Sequence, residues 1–145
     1  MNVDTILASK GSDVATIDQQ ASLTDAVAYL RDRGVGALVV SNDGSHIDGI
    51  LSERDVVRAL ANHGASVMGR TVGSVMSAKV VTCSRGDSVE TLMQSMTESR
   101  FRHLPVIDDE QVLIGIISIG DVVKARLGQL EIENRALTDY IHQGL

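Results

Sequence analysis

The segment Gly49-Ile50-Leu51-Ser52-Glu53-Arg54-Asp55 recurs 66 residues later as Gly115-Ile116-Ile117-Ser118-Ile119-Gly120-Asp121. Each copy reads as an apolar strand, a serine that can cap a helix, and a carboxylate on the first helical turn. The free N–H groups and dipole of a helix start favour an anion, and the serine hydroxyl can add a donor to a phosphate oxygen. Aspartate cannot bind phosphate, but it can accept from both hydroxyls of a ribose. The pattern therefore suits both ends of a ribose phosphate. Read singly, Ser-x-x-Asp is first a capping box with no further role. Its recurrence in register, with glycine brought to the same place twice, favours a binding role.

Other residues carry weaker signals. Arg102 suits bidentate contact with phosphate oxygens, though an arginine at a strand edge can equally be solvated. His103 beside it is either a site imidazole or a structural hydrogen-bonding histidine. Cys83 reads as a small buried apolar group, because nothing in the sequence offers it a base or a lowered pKa. His46, His63, His103 and His142 have no metal-like spacing. With no nucleophile–base constellation, zinc spacing or phosphate-binding loop of the nucleotidase type, catalysis is not expected.

The elements that must hold these residues are themselves duplicated. Shifted by 66, residues 14–59 align without a gap on 80–125, with 13 of 46 pairs identical; chance gives about three at ordinary residue frequencies. Upstream, Val3, Ile6 and Leu7 match Val72, Val75 and Met76 at a shift of 69. Ser22 and Ser88 cap a first helix in each copy, with apolar residues following at helical spacing. Strands are expected at Val14–Ile17, Val35–Val40 and Ile47–Leu51, then at Val80–Cys83, Leu104–Ile107 and Val112–Ile117. Asn42-Asp43-Gly44 reads as a hairpin turn. Each unit is thus β-α-β-β-α, in an α+β fold. The repeat places the first unit at residues 1–63, a linker at 64–71, the second unit at 72–127 and a helical extension at 128–145. In that extension Val123, Leu127, Leu130, Leu137 and Ile141 form a narrow apolar stripe, with Asn134 in the remaining seam position. The stripe packs either on its own domain or on a second copy of the chain.

The 145 residues carry 13 Lys+Arg against 19 Asp+Glu, a net charge of −6. That balance, with no basic block, argues against nucleic acid and anionic lipid as partners. Two tyrosines, one phenylalanine and no tryptophan leave no stacking surface for single strands. The longest apolar runs are strand-sized, no leader peptide is visible, and the single cysteine forms no internal disulfide. A cytoplasmic protein is expected.

The two Gly-x-x-Ser-x-x-Asp motifs, Val72-Gly73-Ser74-Val75-Met76 and Arg102-His103-Leu104-Pro105-Val106 together resemble the cystathionine-β-synthase (CBS) domain, and the tandem resembles a CBS pair, or Bateman module. The resemblance covers roughly residues 1–127. It implies two repeats about a pseudo-twofold axis, a flat dimer, and clefts between repeats that take AMP, ADP, ATP, S-adenosylmethionine or NAD, with AMP foremost and no cofactor required. It implies that Asp55 and Asp121 hold ribose, that Ser52 and Ser118 face phosphate, and that Thr16-Ile17 and Thr82-Cys83 wall the base. Arg102 and His103 stand where the first copy has Gly36 and Ala37. The cleft around Asp121 is therefore expected to be the better site; Arg54 either lies near its own motif or reaches that cleft from the other repeat. The function implied is a stand-alone, non-catalytic sensor that signals to a regulated partner. The competing reading is a ligand-free dimeric scaffold.

Overall fold

A computed structural model describes residues 1–144. The chain runs α1 (Val3–Lys10), β1 (Thr16–Ile17), α2 (Leu23–Arg33), β2 (Ala37–Val40), β3 (Gly49–Ser52) and α3 (Glu53–His63). After a 3₁₀ turn at Ala65–Gly69 come α4 (Val72–Val75), α5 (Val89–Ser99), β4 (His103–Ile107), β5 (Leu113–Ser118) and α6 (Ile119–Gln143). The caps are those expected: Ser22 Oγ accepts from the Asp25 N–H and Ser88 Oγ from the Thr91 N–H. In the first sheet β1 lies parallel to β2, which pairs antiparallel with β3; in the second, β4 pairs antiparallel with β5.

The strand expected at Val80–Cys83 shrinks to a single parallel bridge, Cys83 to Val106. Proline is the cause. In the first unit the Val39 N–H donates to the Ala15 carbonyl and the Ser41 N–H to the Ile17 carbonyl. The second unit keeps the Ile107-to-Cys83 bond, but Pro105 stands at the position of Val39 and has no N–H to give. Asn42-Asp43-Gly44 also forms no two-residue hairpin. It lies in a wider loop between β2 and β3, where Asp43 Oδ1 accepts from the N–H groups of Ser45 and His46. The returning strand consequently starts at Gly49, not Ile47.

Two aliphatic cores form, and the first helices are exchanged between them. Val3 and Ile6 of α1 are buried with Cys83, Val89, Leu92, Leu104 and Ile117 of the second unit. Val72 of α4 is buried with Leu23, Leu38 and Leu51 of the first. The backbone bonds are exchanged in the same way. Val3 and Asp4 N–H donate to the carbonyls of Asp87 and Arg85, while Val72 and Gly73 N–H donate to those of Ala21 and Gln19. The repeat boundaries at 1–63 and 72–127 are thus boundaries of sequence, which core membership crosses. A short helix cannot bury its apolar stripe alone, and the nearest open sheet belongs to the other unit. Glycine makes the close approach possible: a Cβ at Gly115 would lie 2.7 Å from Leu7 Cδ2, and one at Gly49 would lie 2.6 Å from Met76 Sδ.

Helix α6 is continuous through Gly128 and joins the second unit to the extension. Val122 faces the second core, but Val123, Leu127, Leu130, Leu137 and Ile141 are all exposed. Of the two alternatives for this stripe, packing on its own domain is excluded.

Candidate functional site

Both serine–aspartate motifs do form capping boxes. The Asp55 N–H donates to Ser52 Oγ at 3.3 Å, and the Ser52 N–H donates to Asp55 Oδ2 at 2.9 Å. The matching distances for Ser118 and Asp121 are 3.1 and 2.8 Å. Capping consumes one carboxylate oxygen of each aspartate. What happens at the remaining acceptor capacity separates the two copies.

Asp121 is engaged by Lys10, whose ammonium donates to Asp121 Oδ2 at 2.6 Å and to the Ile116 carbonyl at 2.9 Å. Burial alone would raise the Asp121 pKa. The hydrogen bonds from Lys10 and Ser118 outweigh that and hold it below the ordinary carboxylate value. The lysine belongs to the exchanged helix α1, so the second motif is closed by the first unit's own beginning. Asp55 is more open. Its Oδ1 has one partner, the Ser77 hydroxyl at 3.4 Å.

Around Asp55 the chain forms a cleft of about 390 Å³. The β3–α3 junction supplies Ser52, Glu53, Arg54, Asp55 and Arg58; the segment leading to Cys83 supplies Lys79, Val80 and Val81; the α5–β4 junction supplies Arg100, Phe101, Arg102 and His103. Arg54 and Arg58 share one helical face by their four-residue spacing. Five cations thus line a cleft holding two carboxylates, in a chain whose net charge is −6. Such a concentration against the overall charge makes a focused anion site.

The structure distributes the expected site residues between two motifs and the core. Arg102 and His103 line the cleft of Ser52 and Asp55, and His103 also faces Ser118 across the sheet. Gly36 is not a lost site residue: a Cβ there would lie 3.3 Å from His103 Cε1, so glycine leaves room for the imidazole arriving from the other unit. Arg54 lies in the cleft of its own motif. Val80 and Val81 enter the cleft, whereas Thr82 borders a separate depression with His46 and Ile107. Cys83 is buried, and burial pushes its thiol up to about 12, which suits a core residue and not a nucleophile. Thr16 and Ile17 are half-buried on β1 and do not line this cleft. The Asp55 cleft is therefore built by the first unit's motif and by segments of the second unit.

The imidazole of His103 is held below its ordinary pKa, first by burial and then by the charges of Lys10 and Arg102, against the opposing pull of Glu53 and Asp121. It is neutral at pH 7 and can donate one hydrogen bond without adding charge. Its stabilising neutral form is fully present above the unfolded value of 6.5 and is lost as pH falls through the lower folded value.

Three cleft features escaped the motif reading. Lys79 is one, although extending the 69-residue shift beyond Leu7 pairs it with Lys10. Phe101 is another, and nothing in the sequence flagged it. Arg100 is the third. It caps α5 with φ +58°, the left-handed region, where the first unit has Gly34 at φ +64°. An L-residue there costs about 1–2 kcal/mol, so glycine is the expected choice at a helix end. An arginine kept at that cost, facing an anion cleft, is a sign of use.

Comparison with known proteins agrees with this architecture. The family model for the CBS domain matches residues 7–62 and again 72–128. The mitochondrial CBS domain-containing protein CBSX3 of Arabidopsis thaliana is 40% identical over 124 residues, covering 83% of this chain and 60% of that protein. The CBS domain-containing protein YhcV of Bacillus subtilis is 30% identical over 135 residues, covering 92% and 93%. Among solved structures, the CBS-domain protein ATU1752 of Agrobacterium tumefaciens superposes with a TM-score of 0.83 at 40% identity, covering 87% of this chain and 99% of that one. CBSX2 crystallised in complex with AMP superposes at 0.68 with 28% identity, covering 81% and 90%. Duplicated motif, exchanged first helices and inter-repeat cleft have one source: the chain belongs to the CBS-domain family, as a tandem CBS pair.

Proposed function

We propose that this chain is a regulatory module that binds one adenosine nucleotide in the Asp55 cleft, with ADP or ATP preferred over AMP. The carrying observation is the set of five cations around a carboxylate with a largely free oxygen. Asp55 Oδ1 would accept from the ribose hydroxyls. The start of α3 and the arginines at 54, 58, 100 and 102 would hold the phosphates. Val80, Val81 and Phe101 offer an apolar wall for the base. The crystallisation of CBSX2 with AMP supports a nucleotide of this class. The extra cations favour a longer phosphate chain, since each charge-assisted bond to an added phosphate contributes about 1.5–3 kcal/mol before desolvation.

The Lys10–Asp121 pair favours a structural role for the second motif, and so one nucleotide per chain and not two. Because the cleft is assembled from both units, binding draws the two together. A partner that distinguishes the closed arrangement from the open one would read the nucleotide through that difference.

Isothermal titration of nucleotide-free protein with AMP, ADP, ATP, NAD and S-adenosylmethionine tests this reading. ADP or ATP is expected to bind at least about 10-fold tighter than AMP, equivalent to about 1.4 kcal/mol, with a stoichiometry near one. Equal affinity for AMP and ATP would remove the polyphosphate preference. No heat with any of the five would leave the ligand-free scaffold as the better account.

A further inference from the structure

The second half of α6 has no partner among the described residues. Every residue from Leu130 to Gln143 is exposed. A free helix of this length is marginal in water, yet this one presents Leu130, Leu137 and Ile141 to solvent, each more than 40% exposed. The apolar positions are spaced four, three, four, three and four: Val123, Leu127, Leu130, Asn134, Leu137 and Ile141. That is a heptad seam, with Leu127, Asn134 and Ile141 at a and Val123, Leu130 and Leu137 at d. The glycines at 120 and 128 border a shallow groove along its first half, between Val123 and Leu127, open to receive side chains from a facing helix.

Charge selects the occupant and its direction. In this register Arg126 is a g position and Glu131 is the following e position. In a parallel pair these two meet across the seam, twice by symmetry. One guanidinium nitrogen of Arg126, Nη1, is turned to Glu90 and Gln129 within its own chain; Nη2 is left for the partner, and Glu131 has no ion-pair partner among the described residues. An antiparallel pair that keeps the apolar layers facing would set Glu131 against its own copy, and Glu133 likewise. It would also face each Asn134 with Leu130. In the parallel arrangement the two Asn134 side chains meet and hydrogen-bond, and a single asparagine at an a position fixes register.

We infer that the C-terminal half of α6 pairs, parallel and in register, with the same helix of a second copy of this chain. The pairing is a short two-stranded coiled coil that places both CBS pairs at the same end.

Cysteine cross-linking in the full chain tests it. In the Ile141→Cys variant the new thiols face each other across a parallel seam. The antiparallel register separates them by 18 residues of rise, about 27 Å, far beyond the roughly 7 Å a disulfide spans between Cα atoms. Cys83 is buried and does not compete. Under mild oxidation most of the chain is expected to run as a covalent dimer, and adding Leu130→Glu and Leu137→Glu is expected to abolish it. Both leucines are exposed, so the loss cannot be ascribed to unfolding. A product that stays monomeric, or cross-linking indifferent to the two glutamates, would overturn the inference. ADP titration of the glutamate variant keeps the test separate from the cleft: unchanged affinity is expected whichever way the helix pairs.

Discussion

Asp55→Asn is expected to weaken ADP binding by about 100-fold, the loss of one to two charge-assisted hydrogen bonds, while Asp121→Asn changes it by less than about 3-fold. Asparagine is the informative replacement. It still caps a helix about as well as aspartate, so the Ser52 box and the fold survive. It retains a single carbonyl acceptor and loses the charge that both ribose hydroxyls would share. The asymmetry follows from what already occupies each carboxylate. Lys10 pairs with the Asp121 carboxylate through Oδ2 at 2.6 Å and offsets its charge, whereas Asp55 meets only neutral donors, its Oδ1 the Ser77 hydroxyl at 3.4 Å. Titration calorimetry of both variants decides the matter. A large loss for Asp121→Asn with little for Asp55→Asn would transfer the site to the other motif.

Removing residues 1–11 is expected to destabilise the second unit and to leave the first nearly intact. Val3 is fully buried and Ile6 is 6% exposed, and both sit in the core built by residues 83–122. At about 1.5–3 kcal/mol for each buried aliphatic side chain, with Leu7 contributing partly, the cost is about 5 kcal/mol. That is comparable to the whole stability of a small domain. The deletion also exposes the carbonyls of Arg85 and Asp87, which the α1 backbone now satisfies, and it frees Asp121 from Lys10. Guanidinium unfolding followed by limited proteolysis checks it. Early cleavage confined to residues after 80 is the expected pattern. A single transition at the parent midpoint would mean that α1 adds nothing to the second core.

Much of this architecture could be read from residue types, because both copies obey the same local rules. Serine caps, helical spacing of Leu23, Ala26 and Leu30, and the glycine that ends α2 are decided within one turn of chain. The departures come from relations between the copies. Nothing local tells Val3 that its neighbours will be Val89 and Leu92, so the exchange of α1 and α4 was invisible to periodicity. The position of Arg102 and His103 between the two motifs has the same origin. They precede Ser118 in sequence and pair with it across the sheet, His103 facing Ser118 in register, yet they line the cleft opened by Ser52. The lost strand at Val80–Cys83 was legible in principle, since Pro105 stands in its pairing partner. So was the part played by Arg100, an arginine aligned on a helix-ending glycine. The apolar stripe of α6 is legible in the spacing of its residues, but its exposure is a tertiary fact.

Amide hydrogen exchange with and without saturating ADP tests the nucleotide cleft most directly. Slowed exchange is expected at Arg54, the one amide of the first α3 turn left open to a phosphate once Glu53 has bonded Gly36 and Asp55 has bonded Ser52, and also at Lys79–Val81 and Arg100–His103. The amides of Ile119–Asp121 are expected to exchange at unchanged rates. Protection centred on Ile119–Asp121, or none at any of these segments with ADP bound, would contradict the assignment of the nucleotide to the Asp55 cleft.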